Sequence, residues 1–533
     1  MKKIGKKLIA VFLCVMLIGG VTVPAVSAAY IPGESVNAAV NPIEKLFYNI
    51  FDLIIDKTVG VINKYVPTPG KWTDKADFES EGFMAGMDEF LDEPAGGAHW
   101  SLGYSSASIL TGNELDGKHY VGGSISVSPK TATDKWDDLK VRTIAMSDNS
   151  GRGIVVFAVV DTYGLSGSQI REMRVRMADY CEEKGIVSLN IAVLHQHSAI
   201  DTFGMNGSIF KALFNPFRSE AVNGVNKEYN ENLYNVVAET VEKAVDSMTS
   251  GTLYYGTADF SAYVTDKRDP QVLETNFDRF RFVPEDSDER ETWFTTSCIH
   301  CVGNGASRTV ITGDYPYYME QVINNEYNAN FMMMLTAEQG TSQDGSSVRT
   351  EDMTTQEYLE AYGTALAKRF ASITKETEVA PLLNIKAEEV TYKITNQILI
   401  FAGKMGLFTN TVVKNGNDLE IVTEIGYMEL GNDLAVALVP GEVAAELIYG
   451  GCLGADKSWS GENWNLAPVA DCAKGRKMIV FGIINDQIGY IIPDNDYMPL
   501  LESNNNSLEL VSTGKNTASA IAQDFAELIA SVR

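Results

Sequence analysis

The chain has 533 residues, 45% hydrophobic and 21% charged, a composition typical of a globular protein with a large core. Its net charge of −27 excludes nucleic acid as a partner and disfavours anionic lipid surfaces, because like charges repel. One of its six cysteines, Cys14, lies in the leader described next, and the odd number that remains is not a disulfide framework.

Residues 1–28 are typical of a secretory signal peptide. Four early lysines precede the apolar run from Leu8 to Gly20, and Val26-Ser27-Ala28 provides a small-residue cleavage site. The apolar run is too short for a clear transmembrane helix. We therefore expect a secreted, extracellular product, with association with the cell envelope as the alternative if the leader is retained.

Residues 29–98 are predicted to form a linker and an N-terminal amphipathic helix. Asn41 and Pro42 are typical of a helix cap and a first helical position. Apolar residues then recur at helical spacing up to Tyr65, and a Pro-x-Pro-Gly stop follows at Pro67 to Gly70. The helix from Asn41 to Tyr65 either docks on the main domain or makes peripheral membrane contact.

Residues 99–533 alternate between strand-like and helix-like segments. This alternation predicts an α/β domain with a mixed, largely parallel sheet core flanked by helices. Two strand-rich segments, Thr252 to Val264 and Ala387 to Ile425, are predicted antiparallel additions. The predicted strands are Gly153–Val160, Val187–Leu194, Arg308–Thr312, Asn330–Leu335, Asp433–Val439 and Lys477–Ile484, and the predicted helices are Ser166–Gly185, Tyr229–Thr249, one from Tyr315, Thr354–Thr374, Val443–Tyr449 and one at the C-terminus.

The most informative segment is the buried strand that ends in His195-Gln196-His197-Ser198. Side chains two apart on a strand point to the same face, so both imidazoles are expected to aim at one point past the strand end. Sites of open α/β sheets lie at such ends. Because the chain has only 5 histidines, we predict a metal or catalytic site here. The alternative is one packed and one solvated strand-end histidine.

Other predicted strand ends also carry polar residues, namely His300, Glu442, Tyr490 and the loop from Ala337 to Gly345. Two imidazole nitrogens and a carboxylate with an open position are the composition of a catalytic zinc site. The loop contains Thr341 and Ser342 among small residues, whose backbone N–H groups suit an oxyanion. Each feature alone also fits an ordinary turn or helix start. The Cys298-x-x-Cys301 step has no second pair to complete a structural zinc site, so a disulfide or free thiols are expected there.

Taken in order, these motifs resemble the N-terminal catalytic domain of the neutral/alkaline (non-lysosomal) ceramidases, from about Trp100 to Met498. The resemblance implies a zinc amidase in which two histidines, a glutamate and a tyrosine hold the metal. The segments that carry it are Leu194–Ser198, Ser297–His300 with Thr312–Pro316, Val439–Glu442, Asn485–Tyr490 with Tyr497, and the strand region from Arg142 to Asp161.

Carried over by motif, the metal ligands would be His195, His197, Glu442 and Tyr490, with His197 favoured over His195. The resemblance places His300 and the nucleophile-loop residue Ser342 in catalytic roles. It implies Zn²⁺ as the cofactor.

The chain departs from the family pattern in two places. The family has a zinc-binding histidine shortly before the arginine-containing strand, where this chain has Trp136 or Lys140, and either Asp137 or Asp138 would substitute or both strand-end histidines would bind. The family's Gly-Asp-x-Ser-Pro loop here reads Gly340-Thr-Ser-Gln-Asp344. The family's immunoglobulin-like C-terminal domain is not expected, since the chain ends soon after the tyrosine motif.

The leading hypothesis is a secreted, zinc-dependent amidohydrolase that cleaves an amide (N-acyl) or ester bond of a small-molecule or lipid-like substrate. The alternative is a catalytically inactive extracellular binding or envelope-associated protein that retains the fold. A hydrolase with a Ser-His-Asp triad is disfavoured because no G-x-S-x-G elbow follows a strand. The sequence leaves the natural substrate and the oligomeric state open.

Overall fold

A computed structural model describes residues 42–66, 72–123, 130–206, 223–268, 271–304, 309–500 and 508–533. The predicted signal peptide lies outside these residues.

Twenty strands lie in the described part of the chain. They are β1 (Trp100–Ser108), β2 (Asp134–Lys135), β3 (Lys140–Ser147), β4 (Ile154–Val160), β5 (Ile186–Val193), β6 (Thr249–Asp259), β7 (Val264–Asp266), β8 (Asn276–Pro284), β9 (Thr292–Ser297), β10 (Val310–Ile311), β11 (Asn330–Leu335), β12 (Thr341–Gln343), β13 (Glu376–Glu378), β14 (Leu383–Lys393), β15 (Val412–Asn415), β16 (Asp418–Leu430), β17 (Leu434–Val439), β18 (Glu442–Val443), β19 (Lys477–Gly482) and β20 (Tyr490–Ile491).

The α-helices of the same residues are α1 (Pro42–Asn63), α2 (Gly167–Arg176), α3 (Ala178–Lys184), α4 (Lys227–Asp246), α5 (Asp314–Glu326), α6 (Thr355–Ala371), α7 (Gln397–Lys404), α8 (Ala445–Tyr449), α9 (Val469–Cys472) and α10 (Thr517–Val532). The predicted helix from Ser166 to Gly185 is therefore two helices, which meet at Met177.

Two large sheets organise these strands. The first has the order β11-β9-β8-β6-β1-β3-β4-β5, with β13 beside β6, and the second has the order β14-β16-β17-β19, with β15 beside β16. The predicted mixed α/β class with flanking helices is confirmed. The sheets are less parallel than predicted, however, because only β11–β9, β4–β5 and β17–β19 pair in parallel within them.

The length of each connection explains this correction. Each parallel pair of the large sheets is joined by a crossover that contains helices, whereas β3–β4, β8–β9 and β16–β17 are joined by short turns that return the chain antiparallel. The two segments predicted as antiparallel additions contribute β6 and β14–β16.

The two sheets face each other and share one core, with helices on their outer faces. Phe157 of β4 meets Phe481 of β19 edge-to-face, with ring centroids 5.6 Å apart. Outside the first sheet, α4 buries Leu233 and Val237, and outside the second sheet α10 buries Phe525. This packing brings the carboxyl ends of strands from both sheets to one region.

The predicted N-terminal helix is present as α1. Its Val59 and Ile62 are buried against Phe401, Met405 and Leu407, in and just after α7. The side-chain amide of Asn63 also donates to the backbone carbonyl of Gln397 at 2.8 Å. One side of α1 is therefore docked on the domain. No helix among the described residues is long and apolar enough to span a bilayer.

Candidate metal centre

His195 lies two residues beyond β5, where the chain leaves the first sheet. Its backbone has φ 49°, in the left-handed region that non-glycine residues seldom occupy. The strand alternation therefore ends before the His-x-His step. As a result His195 and His197 do not project side by side, and their rings meet edge-to-face with centroids 4.9 Å apart.

Three side chains from different strand ends converge at this point: His195, His300 and Glu442. His300 follows β9 of the first sheet, and Glu442 follows β17 of the second sheet after a Pro-Gly turn. Their candidate ligand atoms all lie within 4.8 Å of one another, and all three residues are buried. The Nε2 atom of His300 is 2.8 Å from Oε2 of Glu442, and Nε2 of His195 is 3.4 Å from Oε1.

The hydrogen bond at Nδ1 fixes the tautomer of His195. This nitrogen is 2.8 Å from the backbone oxygen of Tyr163, and a carbonyl oxygen only accepts. The proton therefore lies on Nδ1, and Nε2 presents a lone pair to the Glu442 carboxylate. This buried Nε2 has no hydrogen-bond partner.

The hydroxyl of Thr341 orients His300 in the same way. The Oγ1 atom lies 2.6 Å from the carbonyl oxygen of Cys298 and 2.9 Å from that of Glu338, so its single proton is used on a carbonyl. It then accepts from Nδ1 of His300, at 2.5 Å. Both imidazoles thus have a backbone-anchored Nδ1 side and an Nε2 aimed at Glu442, the usual outer-shell arrangement of metal-binding histidines.

This donor set fits a divalent cation. Two acceptors, Nε2 of His195 and Oε1 of Glu442, face each other in a buried position, which is unfavourable unless a cation lies between them. Zinc–ligand distances of about 2.0–2.2 Å place two tetrahedral donors about 3.3 Å apart, close to the 3.4 Å found here.

The ionisation states also suit metal binding. Burial lowers the pKa of His195, so its imidazole is neutral near pH 7. Burial opposes ionisation of Glu442, but its interactions with His195, His300 and Tyr490 outweigh burial and lower the pKa of this carboxyl. Metal sites need neutral imidazole and ionised carboxylate.

Tyr490 lies beside Glu442 because β18 and β20 pair in parallel and place these two residues opposite each other. Its hydroxyl donates to the Glu442 carboxylate. Burial and that carboxylate raise the pKa of Tyr490 well above its usual range. They raise the pKa of Tyr163 in the same way. Gln487 completes this side, with Nε2 at 3.5 Å from Oε1 of Glu442.

The comparisons with known proteins bear on the fold. No protein-family model and no curated protein sequence matches the chain. A solved structure of neutral ceramidase from Pseudomonas aeruginosa is similar, with a TM-score of 0.62, 14% sequence identity and coverage of 82% of this chain and 75% of that chain. A ceramidase complexed with C2 is similar at a TM-score of 0.61, with the same identity and coverage. The chain has a ceramidase-like fold.

The fold predicted from the motif order is thus confirmed, while the site differs in detail from the sequence-based assignment. His300, predicted to be catalytic, stands among the candidate ligands, and the favoured His197 lies outside the group of His195, His300 and Glu442. His197 instead bonds to the backbone of Gly123, its Nε2 is buried without a partner, and burial lowers its pKa well below the usual value.

Ser342 lies on β12 opposite Thr265 of β7. Its neighbour Thr341 contacts His300, and successive strand residues point to opposite faces, so Ser342 is turned away from that ring. That Thr341 orients His300 was not predicted from the sequence, because nothing in the spacing of a Gly/Ser-rich loop marks one threonine as the partner of a distant histidine. Tyr163 was missed because it contributes its backbone oxygen.

The two aspartates considered as substitutes for the absent histidine are used elsewhere. Asp137 accepts from the Thr312 hydroxyl at 2.6 Å and from the Gly313 backbone N–H at 2.5 Å, and burial raises the pKa of Asp137 to about 7. Asp138 accepts from the Ser108 hydroxyl. Cys298 and Cys301 are buried free thiols.

A largely apolar cavity of about 80 Å³ reaches the centre, with Glu442 in its wall. It is smaller than the roughly 300–1,000 Å³ of typical ligand sites, so a longer ligand needs side chains of the wall to move. Residues from several separate segments of the chain, α7 among them, form its wall. They include Tyr163, Phe203, Met205, Ile394, Leu399, Phe408, Gln487 and Ile488.

Proposed function

We propose that the protein is a secreted, zinc-dependent hydrolase that cleaves an amide (N-acyl) or ester bond of an apolar, lipid-like substrate. The observation that carries this proposal is the buried group of His195, His300 and Glu442 at an apolar cavity. The ceramidase-like fold supports the same reaction class. The predicted signal peptide supports secretion.

His195, His300 and Glu442 would hold the metal through Nε2, Nε2 and a carboxylate oxygen. Zinc in such a site supplies a Lewis acid and lowers the pKa of a water molecule to about 7. Thr341 and the Tyr163 carbonyl keep the two imidazoles in the required tautomer and orientation.

The phenols of Tyr163 and Tyr490 supply proton donors at the centre. Their raised pKa values keep both hydroxyls protonated. Tyr490 donates to Glu442, and Tyr163 is able to donate to an oxygen that gains negative charge during attack on a carbonyl. The apolar cavity wall binds the acyl group and excludes water.

Metal content and hydrolysis test the proposal together. We expect about one zinc per purified chain, and loss of N-acyl hydrolysis on chelation with recovery when zinc is returned. His300→Ala should lower zinc content and activity at least tenfold, since it removes one of three ligands. His99→Ala, at an exposed histidine, is the matched control and should change neither. A protein that binds no zinc, or hydrolyses equally well without it, overturns the proposal.

A second function is favoured by one observation. Where the family has a ligand histidine, this chain has Trp136 or Lys140, and the possible substitute Asp137 is engaged with Thr312 and Gly313. The loop at Gly340–Asp344 also departs from the family pattern. These features suit an extracellular binding protein that keeps the metal and the apolar cavity without turnover. Stoichiometric zinc and lipid binding without hydrolysis of any N-acyl or ester substrate would identify it.

A further inference from the structure

Helix α1 has a broad exposed apolar face. Nine of the twelve large hydrophobic side chains that are exposed in the described residues lie between positions 43 and 65, so this face dominates the apolar surface. Phe47 and Phe51 are 58% and 51% exposed. The full set is Ile43, Leu46, Phe47, Ile50, Phe51, Leu53, Ile54, Val61 and Tyr65.

The charges on α1 are sorted between its two sides. The exposed charged side chains that the structure describes on this helix and in the turn directly after it are Lys57 and Lys64. The carboxylates of Asp52 and Asp56 are half-buried, and Asp52 accepts from the Leu500 backbone N–H at 3.2 Å. In a chain of net charge −27, the exposed charged side chains beside this apolar surface are cationic.

The width of the exposed apolar face indicates whether a bilayer or a helical partner is the better fit to it. At about 100° per residue, the exposed apolar positions cover about 160° of the helix circumference. A coiled-coil partner needs only a narrow a/d seam. A helix lying in a lipid interface buries a wide apolar face and places lysines where their stems reach the headgroups.

The position of α1 connects this face with the candidate centre. The opposite side of α1 packs on Phe401 and Met405 of the α7 region, while Leu399 and Gly403 of α7 line the cavity that reaches Glu442. One short helix therefore separates the exposed face from the cavity wall.

We propose that α1 docks the protein on a zwitterionic lipid bilayer, with its exposed apolar face in the interface and Lys57 and Lys64 at the headgroups. Zwitterionic lipid is the occupant because the large negative charge of the chain opposes an anionic surface. Docking itself is independent of the reaction. Only its benefit, the delivery of a lipid-like substrate to the cavity, rests on the proposed function.

Sedimentation of the purified protein with phosphatidylcholine vesicles tests docking. We expect the wild-type protein to bind, and Phe51→Asp to lower the partition coefficient by about tenfold or more, because a large apolar group leaves the interface and a charge enters it. The matched control is Leu115→Asp, since Leu115 is also 51% exposed but lies outside α1. This control should bind like the wild type.

Several outcomes overturn docking. One is wild-type protein that stays in the supernatant, and another is equal binding by both variants. A third is a wild-type dimer that ignores vesicles and that Phe51→Asp converts to a monomer, which would show that a second copy covers the face. Hydrolysis of a soluble short-chain substrate reports on the proposed function separately, and Phe51→Asp should leave it unchanged. Unaltered melting temperatures of both variants verify that they fold.

Discussion

At the scale of single residues, the centre depends on two hydrogen bonds made away from the candidate ligand atoms. Tyr163 holds one imidazole through its backbone oxygen and Thr341 holds the other through its hydroxyl. Loss of either would let a ring rotate or change tautomer, although every ligand would still be present.

Thr341→Val tests this orientation of His300. Valine keeps the shape and removes the hydroxyl, so we expect zinc affinity to fall about 10–100-fold. Competition with a metal chelator measures the affinity. Ser342→Ala, one residue along β12, should leave zinc affinity unchanged. It abolishes hydrolysis if Ser342, rather than a water molecule on the zinc, is the nucleophile. Equal loss of zinc in both variants would contradict the assignment to Thr341.

A second prediction at this scale concerns Glu338, whose carboxylate accepts from the Glu274 backbone N–H and the Thr336 hydroxyl. Burial raises the pKa of Glu338 from 4.5 to about 8. The folded pKa is the higher one, so this group's stabilisation is complete below pH 4.5 and is lost as pH rises through 8.

Relative to wild type, Glu338→Gln should therefore gain stability as pH rises from 5 to 8, by at most about 1.4 kcal/mol per pH unit. Urea unfolding at several pH values measures the difference. Glu285→Gln, at an exposed glutamate, is the control. A difference between Glu338→Gln and wild type that does not vary with pH would refute the prediction.

Sequence reasoning found the residues of the centre better than their arrangement. His195, Glu442 and His300 stand out because each follows an apolar strand, a pattern that a sequence displays directly. The relative placement of His195 and His197 depends on the left-handed backbone of His195, which strand periodicity cannot anticipate. The partners Thr341 and Tyr163 act through long-range contacts, 41 and 32 residues from the imidazoles they hold.

At the scale of elements, helix α2 joins the two sheets through one buried ion pair. Arg174 donates through Nη2 and Nη1 to the Glu424 carboxylate of β16, at 2.7 and 3.0 Å, and through Nε to the Leu189 carbonyl of β5 at 2.7 Å. Both charged side chains are 2% exposed.

Arg174→Met should destabilise the protein by about 3–5 kcal/mol, because it leaves the Glu424 carboxylate buried and unpaired. The control lies on the same helix: Arg176 pairs with Glu231 and Glu172 on the surface, so Arg176→Met should cost about 1 kcal/mol or less. Chemical unfolding of both variants gives the comparison. Similar losses would show that burial of the pair is not decisive.

The element bounds were predicted well where apolar periodicity is strong, as in β4, β11 and α6. The first strand, Trp100–Ser108, was missed because its serines and glycine lower its apolar contrast. The division into two facing sheets was also missed, since strand pairing between distant segments leaves no local pattern.

At the scale of the whole molecule, the candidate ligands come from both sheets. His195 and His300 follow strands of the first sheet, and Glu442 follows a strand of the second. Zinc bound there should stabilise the fold by mass action, by about 4 kcal/mol at a free concentration 1,000 times its dissociation constant. Calorimetry with and without chelator measures this, and His300→Ala should show a much smaller response. An identical melting temperature with and without zinc in the wild type would contradict it.

Near the centre, hydrogen bonds join the two sheets, among them those between Asn485 and Ile191 at 2.8 and 3.0 Å. A slide of one sheet over the other by about 1 Å would separate the carboxylate from the imidazoles while each sheet kept its own strands paired, and misplacements of that size cost catalysis about 100-fold. Gentle heating should therefore inactivate the protein several degrees before it loses secondary structure, and cross-linking the sheets beside the centre should bring the two temperatures together.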